Sequence, residues 1–101
     1  MTEEKVAIAN EIPPGAVRGF SIGDKQILIA NIGNVFYAMN NVCTHNGCRI
    51  SGGKLVGEVV GCPCHGSQFN VRTGEVVRGP AKAPEQVWKV TVKDGELHIR
   101  M

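Results

Sequence analysis

The sequence has no excess of one charge, no long apolar run and no secretion signal. Its 11 basic and 9 acidic residues leave a net charge of +2, which is too small to predict binding to nucleic acid or to a membrane surface. No apolar run approaches transmembrane length, and the charged residues at positions 3–5 are unlike the start of a signal peptide. We therefore expect a cytoplasmic chain without membrane insertion.

Recognisable catalytic machinery is also missing. The sequence has no nucleophile paired with a base, no glycine-rich phosphate loop and no pair of carboxylates at a readable spacing. We therefore do not expect an enzyme that breaks bonds in a substrate. No internal repeat, low-complexity tract or linker divides the 101 residues, so a single domain, 1–101, with a modest core is expected.

Short apolar or β-branched runs between glycine turns predict an all-β domain, since no helical period of useful length is present. Gly23-Asp24, Gly33-Asn34 and Asp94-Gly95 suit tight hairpins, because glycine and its neighbour tolerate positive φ. The predicted strands are 5–10, 17–22, 25–32, 35–40, 55–60, 67–71, 75–78, 87–93 and 96–100.

Two short runs of cysteine and histidine carry the chemistry of this sequence. Cys43-Thr44-His45 and Cys62-Pro63-Cys64-His65 each offer one thiolate and one imidazole. In an extended loop, residues two apart point to the same side and lie roughly 6 to 7 Å apart, which is far enough to reach two neighbouring metal ions. The runs could therefore hold an iron-sulfur cluster with mixed ligands.

A single zinc ion held by two cysteines and two histidines is the competing interpretation, because zinc accepts the same ligand types. Zinc ligands within a pair usually have two to four residues between them, whereas Cys43 and His45 have one. This spacing favours the iron-sulfur cluster.

Both runs resemble the Rieske family, for which two histidines are known to replace two cysteines on one iron of a [2Fe-2S] cluster. The segments 65–67 and 72–75 are also similar to that family, so the resemblance extends from about Tyr37 to the C-terminus. It implies that Cys43 and Cys62 bind one iron and that His45 and His65 bind the other. It also implies a small antiparallel β-sandwich of Rieske type with a cluster-binding subdomain formed by two loops, about 41–50 and 61–69.

The other two cysteines, Cys48 and Cys64, match a pair that forms a disulfide between the cluster loops in Rieske proteins of the cytochrome bc type. The alternative is a pair of small buried thiols, and a disulfide in the cytoplasm would be unusual. Segment 79–84 resembles the proline loop of the same proteins, which covers a side of the cluster. An ordinary stiff connection between two strands is the alternative for that segment.

Ser67 and Phe69 match positions that tune the reduction potential in the family. High-potential relatives have a serine and a tyrosine there, and here Phe69 stands at the tyrosine position, so one hydroxyl is missing. Asn46 likewise stands where those relatives have an apolar residue that shields the cluster. Because hydrogen bonds to cluster sulfurs favour the reduced state, we expect a potential between the low-potential ferredoxins and the respiratory proteins.

The expected function is that of a Rieske-type ferredoxin, a monomeric one-electron carrier between redox-partner proteins, namely a reductase and an acceptor such as an oxygenase. One alternative is a cluster-bearing subunit or soluble domain of a larger respiratory-type oxidoreductase, and another is a structural zinc-binding module. Basic residues flank the cluster segments and could form either a docking patch for an acidic partner or, the favoured interpretation, a solvated rim: Arg49, Lys54, Arg72, Arg78 and Lys82.

Overall fold

Antiparallel strands make up most of the computed structural model, which describes residues 3–44, 47–64 and 66–100. Two 3-10 helices, Ala9–Glu11 and Ile50–Gly52, interrupt them. The strands are β1 (Glu3–Ile8), β2 (Val17–Ile22), β3 (Lys25–Ile32), β4 (Val35–Asn40), β5 (Leu55–Val56), β6 (Val59–Gly61), β7 (Gln68–Asn70), β8 (Val76–Arg78), β9 (Val87–Trp88), β10 (Val90–Lys93) and β11 (Glu96–Arg100).

These strands form three antiparallel sheets with the orders β1-β11-β10, β2-β3-β4-β9 and β5-β6-β7-β8. The first two sheets make up the base of the molecule, and the third belongs to the part that carries the Cys/His runs. The predicted all-β, antiparallel class is therefore confirmed. Over the described ranges, the chain has no helix of the length and apolarity needed to cross a bilayer.

Turn chemistry explains the strands whose ends were predicted correctly. Gly33 and Asn34 join β3 to β4 with φ angles of 59° and 71°, and Asp94 and Gly95 join β10 to β11 with φ angles of 50° and 77°. Positive φ at both central residues gives a turn whose twist matches that of the flanking strands. The strands 17–22, 25–32, 35–40 and 96–100 accordingly have their predicted bounds.

Five predicted strands were wrong in extent, and two of them, 67–71 and 75–78, are shorter in the structure, at Gln68–Asn70 and Val76–Arg78. The first strand ends at Ile8, because the 3-10 helix Ala9–Glu11 follows it. The predicted strand 55–60 is a hairpin, β5 and β6, that turns at Gly57 with φ of 62°. The predicted strand 87–93 breaks at Lys89, so that β9 pairs with β4 while β10 pairs with β11. A segment rich in β-branched residues does not by itself reveal where a chain turns or changes sheet.

Strand β3 is buried on both faces and separates two apolar clusters. Ile27 and Ile29 face the first sheet, in a cluster that includes Leu97 and Ile99 from β11. Leu28 and Ala30 face the other way, into a cluster that contains residues of both Cys/His loops. Successive side chains of β3 point to opposite faces. The same strand therefore packs against the first sheet on one face and against the two Cys/His loops on the other.

Candidate metal centre

The two Cys/His runs lie at the ends of two hairpins with the same backbone hydrogen bonds. In the first hairpin, the Cys43 N–H donates to the Cys48 carbonyl at 2.8 Å. In the second, the Cys62 N–H donates to the Ser67 carbonyl at 2.7 Å. Each cysteine is thus bonded to the residue five positions after it, and Cys43 and Cys62 occupy equivalent places.

A glycine closes each hairpin in the same way. The Gly47 N–H donates to the Cys43 carbonyl at 2.9 Å, and the Gly66 N–H donates to the Cys62 carbonyl at 3.1 Å. Their φ angles are 76° and 80°, a left-handed conformation that glycine adopts without the steric cost of a Cβ. A glycine four residues after each cysteine was the sequence signal for this equivalence, and it went unrecognised.

The strands below the hairpins also pair in the same register. Val42 lies opposite Arg49 in the first hairpin, and Gly61 lies opposite Gln68 in the second. In both cases the residue that precedes the cysteine pairs with the residue that lies six positions after the cysteine. Among their described residues, the two loops therefore share the same backbone hydrogen bonds and the same pairing register.

Each hairpin places one thiol in the protein interior. Cys43 is 2% exposed and Cys62 is 3% exposed, and both are free thiols. They belong to the same apolar cluster as Leu28 and Phe69. Two thiols at equivalent positions, shielded from water and from disulfide partners, suit a soft metal ion or an iron-sulfur cluster.

The histidines predicted as ligands, His45 and His65, lie outside the described residues, as does Asn46. Within the described residues no group of three cysteine, histidine or acidic side chains is arranged to hold a metal ion. The two buried thiols fit one half of the predicted ligand set.

Cys48 and Cys64 form a disulfide that joins the two hairpins, with 6.5 Å between their Cα atoms. Cys48 belongs to the first hairpin, where its carbonyl accepts the Cys43 N–H. Cys64 belongs to the second hairpin and lies two residues after Cys62. The bridge therefore holds the two hairpin ends together independently of any bound metal.

Segment 79–84 is bonded to both hairpins. The Ala81 N–H donates to the Ser67 Oγ of the second hairpin at 3.0 Å, and the Thr44 hydroxyl of the first donates to the Ala83 carbonyl at 2.7 Å. Ser67 is completely buried, and its hydroxyl proton is not used in the bond with Ala81. A hydroxyl that accepts one bond keeps its own proton to donate elsewhere.

Phe69, the other residue predicted to tune the potential, is a fully buried core residue of β7. It lies opposite Val60 of β6 and Val76 of β8. Its ring packs in the cluster that contains Cys43 and Cys62. The phenyl group therefore contributes only apolar surface at the position where high-potential relatives have a tyrosine hydroxyl.

A buried carboxyl group near the first hairpin had not been singled out from the sequence. Glu85 is 4% exposed, and its Oε2 accepts a hydrogen bond from the Thr44 N–H at 2.9 Å. Burial raises the pKa of Glu85 from 4.5 to about 7, against the smaller lowering effects of the Thr44 N–H and the Asn40 side chain. No sequence signal pointed to it, because an acidic residue after proline usually indicates an exposed turn.

The five basic residues named from the sequence are all exposed. Arg72 donates from Nη1 to Glu58 Oε2 at 2.8 Å, and its guanidinium carbon lies 6.0 Å from the centroid of the Tyr37 ring. Within the described ranges, the other four form no ion pair: Arg49, Lys54, Arg78 and Lys82.

An all-β scaffold that presents two matched hairpins, each with a buried thiol, defines a protein that binds a soft metal ion or an iron-sulfur cluster. The family model for the Rieske [2Fe-2S] domain matches residues 2–94. The chain therefore belongs to the Rieske [2Fe-2S] domain family. Its cofactor is a Rieske-type [2Fe-2S] cluster, and it is an electron-transfer protein, not a catalytic enzyme.

Individual relatives include both free ferredoxins and subunits of larger complexes. The chain is 38% identical over 96 residues to ferredoxin CarAc of Metapseudomonas resinovorans, covering 94% of this chain and 90% of that protein. It is 28% identical over 99 residues to the cytochrome b6-f complex iron-sulfur subunit of Chlorobaculum tepidum, covering 98% of this chain and 54% of that subunit.

A solved structure of a complex of reduced oxygenase and oxidized ferredoxin in carbazole 1,9a-dioxygenase is also similar. The TM-score is 0.89 and the identity is 37%, over 96% of this chain and 91% of the matched chain. The similarity therefore extends over nearly the whole of both chains.

Proposed function

We propose that this chain is a Rieske-type ferredoxin that takes single electrons from a reductase and delivers them to the terminal oxygenase of a ring-hydroxylating dioxygenase. The observation that supports it is the pair of equivalent hairpins, each with one buried free thiol and joined by the Cys48–Cys64 disulfide. The 38% identity to ferredoxin CarAc, of which 90% is covered, also supports it.

In this proposal Cys43 and Cys62 hold one iron, and His45 and His65 hold the other. The equivalent positions and similar burial of the two cysteines support their role as a pair. When bound, the cluster stores one electron. The protein keeps water away from the two thiolates and fixes the loops, so the ligands need little rearrangement when the charge changes.

Residues beyond the ligands would set the potential. Ser67 would donate its remaining proton to the centre, because the Ala81 N–H already occupies an acceptor site of its hydroxyl. Phe69 would leave out the second hydroxyl that high-potential relatives have. The potential would then lie inside the span of roughly −150 to +300 mV known for Rieske centres, below that of the respiratory proteins.

We further propose that residues 1–101 act as one monomeric domain in the cytoplasm. Segment 79–84, which bonds to both hairpins, would cover one side of the centre. Electrons would enter and leave at the hairpin ends, where the exposed side chains of Arg49 and Lys82 lie near the loops in sequence.

Redox titration with electron paramagnetic resonance tests the cofactor and the potential together. Purified protein is expected to be brown-red, with stoichiometric iron and acid-labile sulfide and one reducible Rieske signal. Cys43→Ser and Cys62→Ser should each abolish the signal. Colourless protein with one zinc ion, or a Rieske signal that survives either substitution, would contradict the proposed centre.

Reconstitution tests the proposed role as a carrier. The chain should accept electrons from the reductase of a carbazole-type dioxygenase system and support turnover of its oxygenase in place of the natural ferredoxin. Failure to support turnover, in protein with an intact cluster, would contradict the choice of acceptor.

A second candidate is a subunit of a larger oxidoreductase. The inter-hairpin disulfide and the 28% identity to the cytochrome b6-f subunit favour it, although the chain spans only 54% of that subunit's length. Size-exclusion chromatography of the protein from its native cell separates the two candidates. A free carrier elutes at the mass of the single chain, 10.8 kDa, whereas a subunit elutes with a large partner.

A further inference from the structure

Glu85 is a carboxyl group that the structure buries without a counter-ion. It is 4% exposed, and no ion pair between described residues includes it. Its Oε1 has no hydrogen-bond partner within the described ranges. Burying an incompletely bonded carboxyl group is costly, so a purely structural position would be better filled by an apolar side chain.

The other carboxylate oxygen is bonded to the first hairpin. Oε2 accepts the N–H of Thr44 at 2.9 Å, and this amide belongs to the peptide bond between Cys43 and Thr44. The intervening covalent bonds limit the distance from the carboxylate to the Cys43 sulfur to about 9 Å. A charge on Glu85 therefore lies close to the centre, and the carboxylate itself is shielded from water.

The backbone around Glu85 is held on the opposite side as well. Its N–H donates to the Gly74 carbonyl at 2.8 Å, and the neighbouring Ala83 carbonyl accepts the Thr44 hydroxyl at 2.7 Å. Gly74 permits this approach, since a Cβ there would overlap the Glu85 carbonyl. Thr44 is thus bonded through both its amide and its hydroxyl to segment 83–85.

We propose that Glu85 has two roles toward the centre: it positions the first hairpin through the Thr44 N–H, and its negative charge lowers the midpoint potential. The proposal rests on the proposed ligand role of Cys43. Reduction adds an electron to the cluster, and a nearby carboxylate repels that electron. The charge therefore favours the oxidised state.

The size of the effect follows from distance and screening. At about 9 Å and an effective dielectric constant of roughly 20 to 30, one unit charge changes the equilibrium between the oxidised and reduced states by about tenfold. For a one-electron couple, a tenfold change corresponds to about 59 mV. Removing the charge should raise the midpoint by about that amount.

Glu85→Gln in the cluster-loaded protein tests the charge. The amide retains an oxygen that can accept the Thr44 N–H but carries no charge. At about pH 8.5, where Glu85 is ionised, the midpoint of Glu85→Gln should exceed that of the wild type by about 59 mV. Glu75→Gln is the matched control, because Glu75 is exposed and screened by water, so its midpoint should stay at the wild-type value.

Glu85→Leu tests the positioning role, since leucine offers no acceptor to the Thr44 N–H. Its cluster should be lost severalfold faster on dilution into chelator, whereas Glu85→Gln should lose it at the wild-type rate. Equal rates in Glu85→Leu and wild type would overturn the positioning role. If Glu85→Leu does not fold, the midpoint of Glu85→Gln still decides the charge.

The outcomes also separate this inference from the proposed function. A wild-type protein without a Rieske signal contradicts the proposed function. A Rieske signal with the same midpoint in wild type and Glu85→Gln contradicts the charge role alone. A Glu85→Gln protein that cannot retain its cluster contradicts the inference too, because the amide should replace the carboxylate in positioning.

Discussion

Ser67 Oγ accepts the Ala81 N–H at 3.0 Å, so the serine of one hairpin is bonded to the backbone of the segment that crosses both hairpins. Ser67 is completely buried, and Ala81 is 4% exposed. The bond fixes the position of the Ser67 oxygen. The hydroxyl proton stays available for donation to another acceptor. A serine held in this way is a preorganised donor.

Ser67→Ala should lower the midpoint potential, because it would remove the proposed hydrogen bond from Ser67 to the centre, which would favour the reduced state. A bond to a charged group contributes roughly 1.5 to 3 kcal/mol, which for one electron corresponds to roughly 60 to 130 mV. Protein-film voltammetry gives the shift directly. Ser21→Ala is the control, since Ser21 is exposed on β2 and its hydroxyl donates to Gln26 Oε1 at 3.2 Å. A shift of equal size in both variants would contradict a specific role for Ser67.

Phe69→Tyr should raise the midpoint, because it restores a hydroxyl at the position where high-potential relatives have one. The added oxygen enters a fully buried site, so the cluster content must be checked by iron analysis before the potential is measured. Phe36→Tyr, on the second sheet, introduces the same group away from the hairpins. An unchanged or lowered midpoint in a fully loaded Phe69→Tyr protein would exclude the hydrogen-bond explanation.

Removing the disulfide should destabilise the protein without removing a predicted ligand. The bridge spans 16 residues, and closing a loop of that size contributes about 3 kcal/mol by its effect on the unfolded chain. The double variant Cys48→Ser/Cys64→Ser avoids leaving an unpaired thiol. Loss of cluster absorbance in guanidinium should occur at lower denaturant concentration than in wild type.

The disulfide prediction has an internal control. Treating wild-type protein with a strong thiol reductant should reproduce the behaviour of the double variant, and the reductant should not change the double variant further. Coincident unfolding curves for wild type and double variant would show that the bridge contributes nothing to stability. Complete absence of the cluster in the double variant would mean that the bridge is needed for assembly.

The raised pKa of Glu85 makes stability depend on pH in a defined direction. Burial moves the pKa from 4.5 in the unfolded chain to about 7 in the folded protein. The folded state therefore holds its proton more tightly, so this contribution is complete below about pH 4.5 and is lost as the pH rises through about 7.

Glu85→Gln removes this titration. Between about pH 5 and pH 8, the wild type should lose on the order of 3 kcal/mol of unfolding free energy relative to Glu85→Gln. Denaturant unfolding of the oxidised proteins at several pH values measures the difference. Curves of stability against pH that run parallel for the two proteins would contradict the buried position of the carboxyl group.

How much could be predicted from the sequence depended on how local the signal was. The strand ends that flank Gly33-Asn34 and Asp94-Gly95 were predicted correctly, because those dipeptides specify a turn by themselves. The break at Lys89 was missed because both halves of 87–93 contain residues typical of strands, and the two halves are separated only by pairing with different sheets. Pairing of neighbouring segments with different sheets does not change the periodicity of the sequence.

The same distinction applies to the site. Cys43 and Cys62 could be predicted as ligands because the two runs resemble the Rieske family, and the structure places both in equivalent buried positions. Glu85 could not be selected, because its importance arises from contact with Thr44, which is 41 residues away in the chain. Long-range contacts between a loop and a connecting segment are visible only in three dimensions.

Because the two hairpins share one register, the centre could be transferred to another protein scaffold. Each half consists of an antiparallel strand end, a cysteine just inside it, a histidine two or three residues later in the sequence and a left-handed glycine that closes the turn. A designer who wishes to install such a centre elsewhere could therefore start from any sheet that presents two hairpin ends face to face. The sequence of the remaining strands would then be free to serve a different scaffold.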